Sequence, residues 1–386
     1  MGFIIFFIFL IFFIFLIFPG LSGIPAAVAP APDFQASSPD ATPSEPQTAS
    51  WEWPVSKPDA QGMDPQALAG LVGEIRRGEL CPRLHALLIV RHDAIVLEEY
   101  FNDWPADRIH TLQSVSKSFT SALVGIAIAR GEFKGVREKV LDFFPGMTGI
   151  ANLDERKADM RLEDILTMRT GTDYHENGAD SPHEQLNRLL KDWDKFYLDR
   201  PMIQPPGTGF RYDSGGVILI SSMLKNRTGM HALEYAKRHL FRPLGIEKLF
   251  WAQNFEGQTH CGGGLALTAR DTAKFGLLYL HNGRWGKEQV VPEAWVRESF
   301  KTHVDLTAPG QPPSGYGYLW WIGAPDPWIK GKLDVPFARG RYGQYIFVIP
   351  EHDMVVVVLA DAKTSPEMAK PIEVMYDRIL PAVRQE

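Results

Sequence analysis

The chain has 386 residues, 45% hydrophobic and 22% charged, with 40 Lys and Arg against 46 Asp and Glu. Such a composition supports a large buried core and excludes a disordered or collagenous chain. The net charge of −6 with interspersed signs argues against nucleic acid as a partner, which calls for a clear basic excess. The two cysteines, Cys81 and Cys261, are too few for a disulfide framework.

Phe3 to Phe18 is an unbroken run of sixteen Phe, Ile and Leu closed by Pro19 and Gly20. The run has no polar face, so a buried core helix is a poor reading of it. Its length lies between a signal-peptide core and a spanning helix. Residues 1–23 therefore read as a signal peptide or a retained membrane anchor. Either one implies export, with the folded part outside the cytoplasm. Residues 24–50, rich in Ala, Pro, Ser and Thr, cannot bury enough surface to offset ordering entropy and read as a linker. The folded domain is expected over 51–386.

Asp64-Pro65 is an N-cap followed by Pro at the first helical position, predicting a helix to about Arg77. His85 to Val90 and Ala94 to Tyr100, joined at His92-Asp93, read as a β-hairpin. A helix is expected from about Ser114 to Arg130, ending at Gly131. The middle third is helical: Leu162 to Arg169, Glu184 to Leu190, Gly216 to Arg227, Ala232 to Phe241 and Ala269 to His281. Strands return at Tyr316 to Ile322, Tyr345 to Ile349 and Met354 to Leu359, before a last helix from Pro366 to Val383. Strands at both ends with helices between them predict an α+β fold, an antiparallel sheet flanked by helices with a helical lobe inserted.

Ser114-Val115-Ser116-Lys117 is an S-x-x-K motif opening an apolar helix. A serine hydroxyl is a weak nucleophile and needs a base within hydrogen-bond reach. Positions i and i+3 share a helix face, so Lys117 can aim its amine at Ser114, and burial favours its neutral, proton-accepting form. The helix N-terminus favours negative charge on an attacked carbonyl. The motif alone is weak; a second copy, Ser222 to Lys225, lies inside a predicted helix and reads as helix surface. The 11 His show no metal-ligand spacing, so no metal is expected.

Tyr212-Asp213-Ser214 follows Ser114 by 98 residues (212 − 114), and Gly340 lies 128 further on (340 − 212). With Leu162 to Gly171, Pro243 to Ile246, Gly262 to Leu265 and Tyr316 to Trp321, these segments resemble the class C β-lactamase and penicillin-binding-protein-like serine hydrolases over about residues 80–365. The likeness is greatest to the branch of 6-aminohexanoate-dimer hydrolase and related esterases. The resemblance implies an acyl-enzyme mechanism without cofactor. Ser114 would be the nucleophile, Lys117 its proton acceptor or charge partner, and Tyr212 the group that shuttles a proton to the leaving group. Whether Lys117 or Tyr212 is the base stays open. It further implies an oxyanion hole from the backbone N–H groups of Ser114 and Arg341, the latter on a late edge strand, and substrate contacts from Ser214 and Gly340. Tyr316 and Trp321 could line the cleft or serve as sheet packing, and Tyr174 and Glu176 could edge it. Cys261, beside three glycines, could lie near the pocket, and a Cys81–Cys261 disulfide could form after export.

Two departures from the family pattern matter. Ser214 stands where the family has Asn, and Ala338-Arg339-Gly340 aligns best with its K-T-G or H-x-G motif, so the cationic or imidazole donor is replaced by Ala338. Arg339 or Arg341 could swing in instead. The expected function is hydrolysis of a small ester or amide. The alternatives are a β-lactamase or D-alanyl-D-alanine carboxypeptidase, and a non-turning-over binding or sensor protein on the same fold.

Overall fold

The computed structural model describes residues 51–308, 313–323 and 335–384. The expected signal or anchor over 1–23 and the linker over 24–50 lie outside the described residues. Among the described residues no helix is long and apolar enough to cross a membrane.

Helix α1 (Pro65–Arg76) starts where its cap dictates: the Asp64 carboxylate accepts the N–H groups of Gln66 and Ala67. Its buried Leu68, Leu71 and Ile75 make one apolar face. The hairpin of β1 (Leu84–Arg91) and β2 (Ala94–Tyr100) turns at His92 and Asp93. Both have positive φ, 49° and 63°, as a two-residue turn that matches strand twist requires. β3 (His110–Thr111) leads through a tight 3₁₀ turn, Gln113–Val115, into α2 (Ser116–Ala129), so Ser114 sits on that turn just ahead of the α-helix.

The inserted lobe contains α3 (Glu155–Asp159), α4 (Leu162–Leu166), α5 (Pro182–Arg188), α6 (Trp193–Leu198), α7 (Ser214–Thr228) and α8 (Ala232–Ala236). α4 ends earlier than expected because Met168 takes a positive φ of 57°. β4 (Leu249–Trp251) and β5 (Leu265–Leu267) join β3 in a small sheet ordered β3-β5-β4. α9 (Ala269–Leu280), the ribbon of β6 (Arg284–Trp285) and β7 (Glu288–Gln289), and α10 (Glu293–Ser299) bring the chain back to the main sheet. There β8 (Val304–Asp305), β9 (Ser314–Tyr316), β10 (Trp321–Gly323), β11 (Pro336–Gly340), β12 (Gln344–Ile349) and β13 (Met354–Ala360) complete eight antiparallel strands ordered β2-β1-β13-β12-β11-β10-β9-β8. α11 (Ser365–Val374) follows, capped by Thr364. This is the α+β arrangement expected, with the helical lobe inserted between the two parts of one sheet.

The main sheet is covered on both faces. Val355, Val357 and Leu359 of β13 enter one core with α2 and α9, while Met354, Val356, Val358 and Ala360 enter a second with α1 and the C-terminal helix. Alternation sends successive residues to opposite faces, so a strand with two buried faces reads as an uninterrupted apolar run.

Two expectations need correction. Tyr316 to Ile322 is not one strand: β9 and β10 pair with each other, and the chain reverses between them, where Leu319 has a φ of 60° and Gly317 N–H donates to Trp320 O. The turn is buried, so composition gave it no loop signature. The strand carrying Gly340 is not an edge either, because β10, β9 and β8 continue the sheet beyond it.

Candidate active site

Gln113, immediately before Ser114, has a φ of 50°, a conformation that costs a non-glycine residue about 1–3 kcal/mol and clusters at functional sites. The turn persists because its surroundings hold it. Leu112 N–H donates to Leu265 O, Ser116 Oγ donates to Gln113 O at 2.6 Å, and Leu265 N–H donates to Ser116 Oγ. Lys117 is 1% exposed. Its Nζ donates to Ser114 Oγ at 2.9 Å and to the Gly262 carbonyl at 2.6 Å. The second bond fixes the amine so that the first points at the hydroxyl. Thr120 Oγ1 ties the same helix to Cys261 O at 2.9 Å.

Tyr212 reaches this pair from the helical lobe. Lys117 Nζ lies 4.7 Å from the centroid of the Tyr212 ring, within range of a cation–π contact. Trp321 stacks on Tyr212 at 5.9 Å, and Tyr316 meets it edge-on at 6.5 Å. Tyr316 is 1% exposed, and burial pushes its phenol well above the ordinary tyrosine range. Of the two readings left open for these aromatics, the structure places both as packing around Tyr212.

Ser114 opens onto a cavity of about 210 Å³, bordered also by Gln113, Glu176, Ser214, Gly262 and Arg341. The buried Ser214 donates its backbone N–H to Glu176 Oε1 at 2.9 Å. Gly340 does not border this cavity. A Cβ there would sit 2.4 Å from Leu112 O and 3.1 Å from Gln113 Cβ, so its hydrogen lets β11 lie against the Gln113–Val115 turn. Ala338 points into the core. Arg339 sits over the Tyr345 ring at 6.0 Å, toward the opposite face of the sheet. Of the two arginines considered as replacements for the missing donor, Arg341 alone borders the cavity.

Further cavity residues escaped the sequence reading, among them three polar ones. His183, Asn187 and His260 form a hydrogen-bonded row: Tyr174 OH to His183 Nδ1 at 2.9 Å, His183 Nε2 to Asn187 at 3.1 Å, and Asn187 Oδ1 to His260 Nε2 at 3.1 Å. Burial pushes His260 down to about 4, Lys117 and His183 adding to the effect, and burial lowers His183 as well. Only the glycines after His260 hinted at it; His183 and Asn187, 77 and 73 residues before it (260 − 183 and 260 − 187), carry no motif.

Cys81 and Cys261 are both free, and they lie in the two different cores. The considered disulfide is therefore not formed. Burial pushes each thiol up to about 12, far from a nucleophilic thiolate. Among the described residues no three His, Cys, Asp or Glu side chains gather as a metal-binding group.

The chain is 25% identical to the 6-aminohexanoate-dimer hydrolase of Paenarthrobacter ureafaciens over 305 residues, covering 74% of each. Among solved structures it resembles a Bacillus anthracis protein assigned as a 6-aminohexanoate-dimer hydrolase (TM-score 0.71, 21% identity, 87% of this chain and 89% of that one). It also resembles EstCE1, a hydrolase with promiscuous acyltransferase activity (TM-score 0.66, 17% identity, 83% and 99%). Both structural likenesses speak to the fold. The family model described as Beta-lactamase matches residues 82–375, which include the S-x-x-K turn and all of the cavity, and the chain therefore belongs to the beta-lactamase family as one of its serine hydrolases.

Proposed function

We propose that this hydrolase cleaves a small ester or amide through an acyl-enzyme on Ser114. The observation that carries the reading is the 2.9 Å contact between Lys117 Nζ and Ser114 Oγ at the floor of an open cavity. As Oγ bonds to the substrate carbonyl carbon, the hydroxyl proton passes to the Lys117–Tyr212 pair, whichever member of that pair acts as the base. The backbone N–H groups of Ser114 and Arg341 receive the oxyanion. Collapse of the tetrahedral adduct breaks the bond to the leaving group, which takes the proton by way of Tyr212, and water then releases the acid and restores Ser114. Polar walls and a volume of about 210 Å³ suit a compact acyl group. The 6-aminohexanoate-dimer hydrolase relative and the neighbour described as a hydrolase with promiscuous acyltransferase activity are consistent with acyl transfer from a small substrate.

One observation favours a second reading. Arg341 places a guanidinium at the cavity, where a substrate carboxylate would be held as in a β-lactam or a D-alanyl-D-alanine peptide. A panel of p-nitrophenyl esters, linear amide dimers and nitrocefin, run with fluorophosphonate labelling and a Ser114→Ala control, tests both. We expect ester or amide turnover and labelling that Ser114→Ala abolishes. Rapid nitrocefin hydrolysis with little ester turnover would establish the second reading, and turnover unaffected by Ser114→Ala would end both. Export belongs to the same proposal and rests on the apolar run Phe3–Phe18; an alkaline phosphatase fused after residue 50 should be active only when that run is present.

A further inference from the structure

Asp213 stands between Tyr212 and Ser214 and is 2% exposed. Oδ1 accepts the Gly216 N–H at 2.9 Å and so caps α7. Oδ2 accepts two hydroxyls, Thr170 Oγ1 at 2.8 Å and Tyr197 OH at 2.5 Å. Its own N–H donates to Met168 Sδ at 3.2 Å.

A cap needs one oxygen, which Ser, Thr or Asn supplies at no cost in buried charge. Burying a carboxylate costs several kcal/mol unless its lone pairs are filled. The second oxygen therefore has a purpose that capping does not account for. What it does follows from the backbone. Asp213 is extended (φ −141°, ψ 93°), so its side chain and those of its neighbours point to opposite sides. Asp213 faces inward to the Thr170 loop and to α6, while Tyr212 faces Lys117 and Ser214 borders the cavity. Gly215 is held from the same side, since a Cβ there would lie 2.5 Å from the Tyr174 ring and 2.6 Å from the Tyr197 ring.

We infer that Asp213 is a positioning residue for Tyr212, its second oxygen pinning the Tyr212–Ser214 stretch to Thr170 and Tyr197 so that the phenol is held beside Lys117. The inference rests on the proposed proton-shuttling role of Tyr212. Asparagine has a single acceptor oxygen; it can keep the α7 cap but cannot also receive both hydroxyls.

The test compares Asp213→Asn with the double variant Thr170→Val/Tyr197→Phe, which removes the two donors and leaves the carboxylate. Each is assayed on a p-nitrophenyl ester, whose leaving group departs without a proton, and on the anilide of the same acid, whose leaving group needs one. We expect kcat on the anilide to fall about 10–100-fold with KM little changed, and kcat on the ester to fall much less. In a Tyr212→Phe background Asp213→Asn should add no further loss. A thermal melt and circular dichroism confirm that each variant is folded; if Asp213→Asn does not fold, the double variant carries the test. Equal losses on both substrates, a loss confined to melting temperature, or losses that add to that of Tyr212→Phe would overturn the positioning role. If Tyr212→Phe itself leaves both rates intact, the shuttle reading fails and Asp213 falls with it.

Discussion

Lys117 holds its place through two bonds of different kind, one to the Ser114 hydroxyl and one to the Gly262 carbonyl. Replacing it with methionine keeps the stem in its buried slot and removes the amine. Lys117→Met should lower kcat/KM by about 10²–10⁴-fold with the fold retained, as steady-state kinetics and circular dichroism would show. Asp213 gives a prediction of a different kind. Burial raises its carboxyl from 3.8 to about 6, and the Tyr197, Gly216 and Thr170 donors offset only part of that. A carboxyl raised on folding binds its proton more tightly in the native state. Its contribution therefore favours folding below about pH 4 and is lost as the pH rises through about 6. The Tm of Asp213→Asn minus that of the wild type should accordingly grow between pH 4 and pH 7, by the equivalent of about 1–3 kcal/mol. A difference that shrinks over that range would contradict the assignment of Asp213 as a buried ionised group.

β11 and the Gln113–Val115 turn meet at a single glycine. Because a Cβ on Gly340 would strike the Leu112 carbonyl at 2.4 Å, and backbone yields less readily than a side-chain end, Gly340→Ala must push strand and turn apart. We expect a stability loss of about 1–3 kcal/mol and a fall of at least about tenfold in fluorophosphonate labelling of Ser114. Gly70→Ala on α1, where nothing lies within 4 Å of the added methyl, is the control. It should leave labelling untouched and be neutral or slightly stabilising. Among the elements themselves, α1, the first hairpin, α2, α7, α9, β12 and β13 were legible, because each pairs a clear apolar period with a cap, a turn dipeptide or a terminal glycine. α6, α10 and β11 were not. They are only 6, 7 and 5 residues long, too short to establish a period, and their burial is imposed by neighbours distant in the chain.

At the scale of the molecule, the described residues all fall in one compact unit, Thr48–Glu386. The sheet at its centre is closed over on one face by α2 and α9 and on the other by α1 and the C-terminal helix. Both cores are filled from within that unit. A variant lacking residues 1–47 should therefore keep the kcat and Tm of the full chain, measured on whichever substrate of the panel the full chain turns over. A marked drop in either would show that the N-terminal segment contributes to the folded domain.

The longer helices and strands, the S-x-x-K motif and the tyrosine downstream of it were readable in the sequence, because periodicity, capping and motif spacing are local properties of a chain. How the far segments close on one another was not. That Gly340 is a contact rather than a cavity residue, that Arg341 faces the cavity while Arg339 faces away, and that His183, Asn187 and His260 share a wall are facts of tertiary packing. Each depends on which side of a strand or loop a residue lands once distant elements have docked, and a shift of one position along an extended strand exchanges those sides.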